Sequence, residues 1–205
     1  MADEQNPAAT PEPAARKRPK PGERRIQILQ ALASMLEQPG TERITTAALA
    51  ARLQVSEAAL YRHFASKAQM FEGLIDFIES SVFSLLNQIT EGPHDTSEKL
   101  RRMVTVLLQF AERNPGMVRV MVGDALVFEN DRLQQRMNLF FDKVEAGLRQ
   151  VLREASPDSN TPTVDAQVKA SLIVSFVLGR LQRFARSGYK RLPLEHLQAS
   201  LNTLL

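Results

Sequence analysis

The 205-residue chain contains no cysteine. That excludes a disulfide framework and thiolate metal sites, and it suits a reducing compartment. No apolar segment follows the charges at the N-terminus, so there is no secretory pattern. The longest apolar run, ASLIVSFVLG at 170–179, falls well short of the roughly 20 residues that span a bilayer. A soluble protein of the cytoplasm is expected. Strict alternation of apolar and polar residues is missing and β-branched clusters are few, which argues against a sheet. A catalytic set is missing too. His94 sits alone in a Gly-Pro loop and His196 near the C-terminus, neither with ligand spacing. No glycine-rich phosphate loop follows a strand, and serine, histidine and aspartate by their presence alone do not make a triad. No enzymatic activity, metal or cofactor is expected.

What the chain does carry is unevenly placed charge. The net charge is +3, and residues 1–71 hold all of that excess, with ten Lys/Arg against seven Asp/Glu. Arg16, Lys17, Arg18, Lys20, Arg24 and Arg25 face a single acid, Glu23. A basic segment ahead of a small helical unit is the electrostatic footprint of a polyanion binder, although a solubilising tail looks the same. Residues 1–22 are proline-rich and lack apolar periodicity, so disorder is expected there.

Beyond the tail the pattern predicts an all-α chain of about nine helices. The first runs over 23–37 and stops at Pro39-Gly40. Thr45 and Ser56 are N-caps of two short helices. Leu49 and Leu53 point inward from the first, and Leu60 and Phe64 form an i,i+4 core pair on the second. Ser66 with Gln69, and Asp95 with Glu98, are capping boxes opening helices over about 67–90 and 96–113. A short helix at 115–122, a long one at 124–154, the loop SPDSNTPT, a helix at 164–187 and a last one after Leu192-Pro193 complete the series.

The segment ITTAALAARLQVSEAALYRHF has the length and patterning of a DNA-binding helix-turn-helix. With Leu60 and Phe64 turned inward, Arg62 falls opposite, flanked by Ala58 and Ala59, while Tyr61 and His63 take the edges. A small surface with a central arginine suits the major groove, where arginine pairs with a guanine edge. Thr45, Thr46 and Ser56 stand at helix starts, where hydroxyls and backbone N–H groups can meet phosphate. Lys67 opens the next helix, a poor place for a cation unless an anion lies near.

The run VSEAALYRHFASKAQMF resembles the TetR-family signature, in which a Tyr-x-His-Phe or Tyr-x-Tyr-Phe end of the recognition helix leads into Ser-Lys. The resemblance implies an all-helical, TetR-like dimer with a three-helix DNA-binding unit and a larger C-terminal domain. It also implies phosphate contacts for Tyr61, His63 and Lys67. Gln54 departs from the pattern, since glycine often holds that turn; a left-handed conformation there costs a non-glycine residue about 1 kcal/mol. On this basis the chain divides into a tail (1–22), a DNA-binding unit (23–71, with the helix-turn-helix at 45–64) and a dimerisation and partner-binding domain (72–205).

The 164–187 helix is apolar nearly all round, as a helix buried on every side would be. A two-fold homodimer is expected on it and on the final helix, with Leu172, Phe176, Gly179 and Phe184 in the interface. Such a dimer places two recognition helices about one DNA turn apart, matching a palindromic site. On the fourth helix Phe71, Leu74, Ile75, Ile78, Val82, Leu85, Leu86 and Ile89 form one stripe, and Phe77 and Phe83 lie off it. Each packs on a neighbouring helix or meets a partner.

The strings RITTAALAARLQVSEAALYRHFASKAQMFEGLIDFIE and FAERNPGMVRVMVGDALVFENDRLQQRM resemble the nucleoid-occlusion branch of the family. That resemblance implies binding to palindromic chromosomal sites and, when bound, antagonism of assembly of the division GTPase FtsZ. It places the FtsZ surface on the fourth and fifth helices, with Phe77, Arg113 and Asn114 at matching positions. Leu85 and Gln109 depart from the pattern, standing where a basic residue and a glycine occur. The alternative is a repressor controlled by a small effector, as in most of the family.

Overall fold

The computed structural model describes residues 22–38, 43–155 and 162–205. The tail, the Pro39-Gly40 stop and most of the SPDSNTPT loop lie outside the described residues. Among those described there are nine α-helices, one 3-10 turn and no strand. The helices are α1 (Glu23–Leu36), α2 (Thr46–Leu53), α3 (Glu57–Tyr61), α4 (Lys67–Glu91), α5 (Thr96–Arg113), α6 (Pro115–Met121), α7 (Asp131–Ala155), α8 (Pro162–Arg186) and α9 (Leu197–Leu204).

The helix starts follow local chemistry. Ser66 Oγ accepts the Gln69 N–H at 3.2 Å, and Asp95 Oδ1 accepts the Glu98 N–H at 2.9 Å. Neither box closes in full. Gln69 Oε1 takes the N–H of Ala65, one residue before the cap, and the Glu98 carboxylate takes Arg102 Nε instead. The long helix expected at 124–154 begins only at Asp131. Gly123 breaks it with φ +81, where a Cβ would stand 2.3 Å from Gln134 Oε1. A 3-10 turn over Asp124–Leu126 follows, and Asn130 Oδ1 accepts the Arg132 N–H at the true start.

Helices α4 and α5 form an antiparallel hairpin whose apolar faces meet α7. Phe71, Leu74, Ile75, Ile78, Val82 and Leu86 of α4 are buried with Leu107 and Leu108 of α5 and Met137 and Phe140 of α7. Phe83 joins them, its ring 5.2 Å from Phe140, which lies edge-on to Phe141 at 5.0 Å. Phe77 does not. It is 47% exposed and leans on Phe110 at 6.0 Å. Leu85, expected in the buried stripe, also faces outward.

A charged seam runs beside this core. Arg132 pairs with Glu72 at 2.7 Å, and Arg136 pairs with Asp76 at 2.5 Å and Glu79 at 2.6 Å. Glu79 first, then Asp76, holds the Arg136 guanidinium protonated well beyond its ordinary range, against the opposing effect of burial. Such partly exposed pairs contribute little singly, about 0–1 kcal/mol, and more as a network.

Helix α8 is not buried on every side within one chain. Ile173, Val177 and Leu181 point into the core, whereas Val164, Val168 and Leu172 stand on the surface. Phe184, expected on the dimer face, is 2% exposed and packs inside, 5.2 Å from the Tyr189 ring. Gly179 is exposed, and Phe176 is half-buried beneath Arg180.

Candidate nucleic-acid interface

Helices α2 and α3 meet through a tight turn. Gln54 adopts φ 55, ψ 46, the left-handed conformation. Its N–H bonds to Ala51 O and that of Val55 to Ala50 O, the paired bonds of a Schellman stop. Thr45 Oγ1 accepts the Ala48 N–H at 3.1 Å and Ser56 Oγ the Ala59 N–H at 3.3 Å, so both predicted N-caps form. Helix α3 is five residues long and ends at Tyr61. Phe64 therefore lies beyond it, in a turn closed by the His63 and Phe64 N–H groups on Leu60 O. Leu60 and Phe64 are still buried together, and they fix the orientation of everything between them.

The outward surface is what those anchors leave. Thr45, Ser56, Ala58, Arg62 and His63 are exposed, Tyr61 is 46% exposed, and Thr46 and Ala59 are half-buried. The side chains form a small-residue platform with an aromatic and cationic end. Besides the two caps, two of the candidates are held by carboxylates of this chain. Thr46 Oγ1 donates to Glu57 Oε2 at 2.5 Å, tying the start of α2 to the start of α3. Lys67 Nζ pairs with Glu129 in the loop before α7 and lies 5.6 Å from the Phe71 ring centroid. The cation that opens α4 is thus neutralised by this chain's own carboxylate, which is why it is tolerated there.

Sequence patterns do not reveal one further member. Arg25 of α1 donates from Nη1 to His63 O at 2.6 Å and covers the Phe64 ring at 4.0 Å. It holds the end of the recognition segment in place, and no periodicity links two residues so far apart. Arg24, counted in the basic arm, donates to Gln27.

A second surface lies on the α4–α5 hairpin. The exposed Phe77 ring lies over the buried Phe110, and Arg113, one turn further along α5, is exposed. Asn114 caps α5 with Nδ2 donating to Phe110 O at 2.7 Å. Of the two positions that depart from the family pattern, Gln109 of α5 is half-buried and Leu85 of α4 is exposed.

Comparison with known proteins agrees with this geometry. Residues 28–74 match the model for bacterial regulatory proteins of the tetR family, and residues 94–205 match the SlmA-like, tetracyclin repressor-like C-terminal domain. Nucleoid occlusion factor SlmA of Idiomarina loihiensis is 51% identical over 177 residues, covering 86% of this chain and 90% of that protein. The chain belongs to the SlmA family. SlmA of Photobacterium profundum is 53% identical over 175 residues, covering 84% and 89%. The TetR-family regulator PfmR of Thermus thermophilus superimposes with a TM-score of 0.71 at 24% identity, over 87% of this chain and 97% of that one, which establishes the shared fold. In SlmA-family terms the two matched regions correspond to the helix-turn-helix unit and the larger helical domain. No helix among the described residues is long and apolar enough to cross a membrane.

Proposed function

We propose that this chain binds palindromic DNA as a homodimer and, when bound, antagonises FtsZ assembly, so that septa do not close over the nucleoid. In this reading Arg62 reads a guanine edge between Ala58 and Ala59, while Tyr61 and His63 hold phosphates with the helix starts at Thr45 and Ser56. Thr46 and Lys67 take part only by exchanging Glu57 and Glu129 for phosphate. The dimer forms over the outward face of α8, through Leu172, Phe176 and Gly179. No chemistry and no cofactor are involved.

The observation that carries the reading is the α4–α5 surface. A large aromatic, Phe77, stays half exposed on a helix whose other apolar side chains are mostly buried, beside an exposed Arg113. An apolar anchor next to a cation fits a peptide with an apolar side chain and a carboxylate. This surface shares helix α4 with the DNA-binding unit.

The test is FtsZ co-sedimentation with GTP, in the presence of this protein with its selected palindromic duplex, with a scrambled duplex, and alone. Depletion of pelleted polymer only with the selected duplex is expected. Unaffected polymer in all three arms would return the chain to the general TetR role of a repressor with a small effector.

A further inference from the structure

Resting on the partner reading above, we infer that α1 is the rod that carries DNA occupancy from the recognition segment to the Arg113–Asn114 end of the partner surface. Both ends of α1 are fastened to the elements concerned. At the N-terminal end Arg25 holds His63 O at 2.6 Å and stacks on Phe64 at 4.0 Å. Movement of the Tyr61–His63 segment onto phosphate therefore pulls directly on α1.

The C-terminal end is gripped from two sides. On one side α6 lies against the last turn of α1 with no space between them: a Cβ on Gly116 would stand 2.3 Å from Ala33 O. Gly116 is two residues beyond Asn114, which is itself locked to Phe110 O at 2.7 Å. On the other side Tyr189 Oη donates to Leu36 O at 3.0 Å, one of the carbonyls a helix end leaves without an intrahelical partner. Tyr189 reaches it from a left-handed conformation, φ 65, which a tyrosine adopts only when its surroundings impose it. Burial raises its pKa, so the hydroxyl keeps its proton through the neutral range.

A fourteen-residue helix is stiff over its length, about 21 Å at roughly 1.5 Å per residue. A displacement at Arg25 therefore arrives at Gly116 and Tyr189 without being absorbed on the way. The receiving side holds a buried donor with no acceptor among the described residues. Arg119 of α6 bonds Asp124 Oδ2 through Nε at 2.8 Å, while its Nη1 is buried with no acceptor among the described residues. A buried donor without a partner favours any rearrangement that supplies one. The competing route runs along α4 through its seam with α7, which Arg136 ties to Asp76 and Glu79.

The experiment is amide hydrogen exchange on the full-length dimer, with a palindromic duplex that the protein itself selects from a randomised pool, and with a scrambled duplex. In the wild type the selected duplex is expected to protect 57–64 and to change exchange at 114–121 by about fivefold or more, the lower end of an allosteric coupling. In Tyr189→Phe, and in Gly116→Ala if it folds, protection at 57–64 stays and the change at 114–121 falls to about twofold or less. Arg136→Met keeps the full response. Wild-type 114–121 amides that ignore the duplex overturn the inference, as does an undiminished response in Tyr189→Phe, or a loss in Arg136→Met alone. A response that tracks the Tyr189 variant while the duplex leaves FtsZ polymer untouched upholds the rod and rejects the partner reading.

Discussion

Leu172 and Phe184 lie on the same helix and answer different questions, and substituting each separates them. Leu172 is 55% exposed in the single chain. Burying a leucine side chain fully is worth about 2 kcal/mol, so the half still open contributes about 1 kcal/mol if a second copy covers it. Two-fold symmetry presents the residue twice, giving about 2 kcal/mol per dimer. Leu172→Ser is therefore expected to raise the dimer dissociation constant by about 30-fold, at roughly 1.4 kcal/mol per tenfold. Leu172→Asp should raise it further, because it leaves carboxylates against apolar surface. Thermal stability of the monomer should move by no more than about 0.5 kcal/mol in Leu172→Ser. Phe184→Ala should do the reverse. At 2% exposure it leaves a cavity in the core and destabilises the fold by about 3–5 kcal/mol. Sedimentation over a concentration series measures the first effect and urea unfolding the second. An unchanged dimer constant in Leu172→Ser would refute the α8 interface, and an unchanged midpoint in Phe184→Ala would refute its place in the core.

Phe77→Ala should leave duplex binding intact and weaken FtsZ antagonism about tenfold, the effect of a central aromatic anchor of roughly 1.4 kcal/mol; loss of both activities together would mean that Phe77 serves the fold. Arg62→Ala should lower affinity for the selected duplex by about 1–3 kcal/mol and relax the preference at one base pair, and an unchanged preference in a binding-site selection would count against base readout. Glu129→Gln frees Lys67, so the slope of log affinity against log salt should steepen by about 0.9, one added phosphate contact; an unchanged slope returns Lys67 to a structural role. Gln54→Gly should stabilise the turn by up to about 1 kcal/mol by removing the left-handed penalty. A lower urea midpoint would show that the Gln54 side chain outweighs its backbone conformation.

Much of the fold is readable because helix ends are decided by adjacent residues. Thr45, Ser56, Ser66 and Asp95 each accept the N–H three positions on, and serine, threonine or aspartate before an apolar period announces that bond. The recognition surface is readable for the same reason, since Leu60 and Phe64 define its back and leave Arg62 and His63 in front. What sets the state of that surface is not local. Arg25 reaches His63, Lys67 reaches Glu129, and Tyr189 reaches Leu36 across most of the chain, and no periodicity encodes those meetings. Helix α8 shows the limit of hydrophobic patterning. A helix apolar on all sides does not say which stripe its own core takes, so Phe184 and Leu172 look alike until the bundle is assembled.

The side chains of the bundle also bear on how such a protein is controlled. A repressor released by a small effector needs an enclosed apolar chamber with a few polar anchors. Between α4, α5 and α7 that space is occupied by Phe83, Phe140, Phe141, Leu107 and Met137, with rings in direct contact at 5.0–5.2 Å. Two hollows among the described residues, of about 630 and 500 Å³, open on the outside, where α7 and α8 meet the end of α6, and their walls include Asp142, Glu145 and Asp124. Ser171 and Ser175 in the wall of the first flank Leu172 along α8, so the dimer proposed above would set a second copy beside that hollow. Control by DNA does not need an interior chamber. It needs two surfaces and a stiff connection, and α1, held by Arg25 at one end and by Gly116 and Tyr189 at the other, has the fastenings for it.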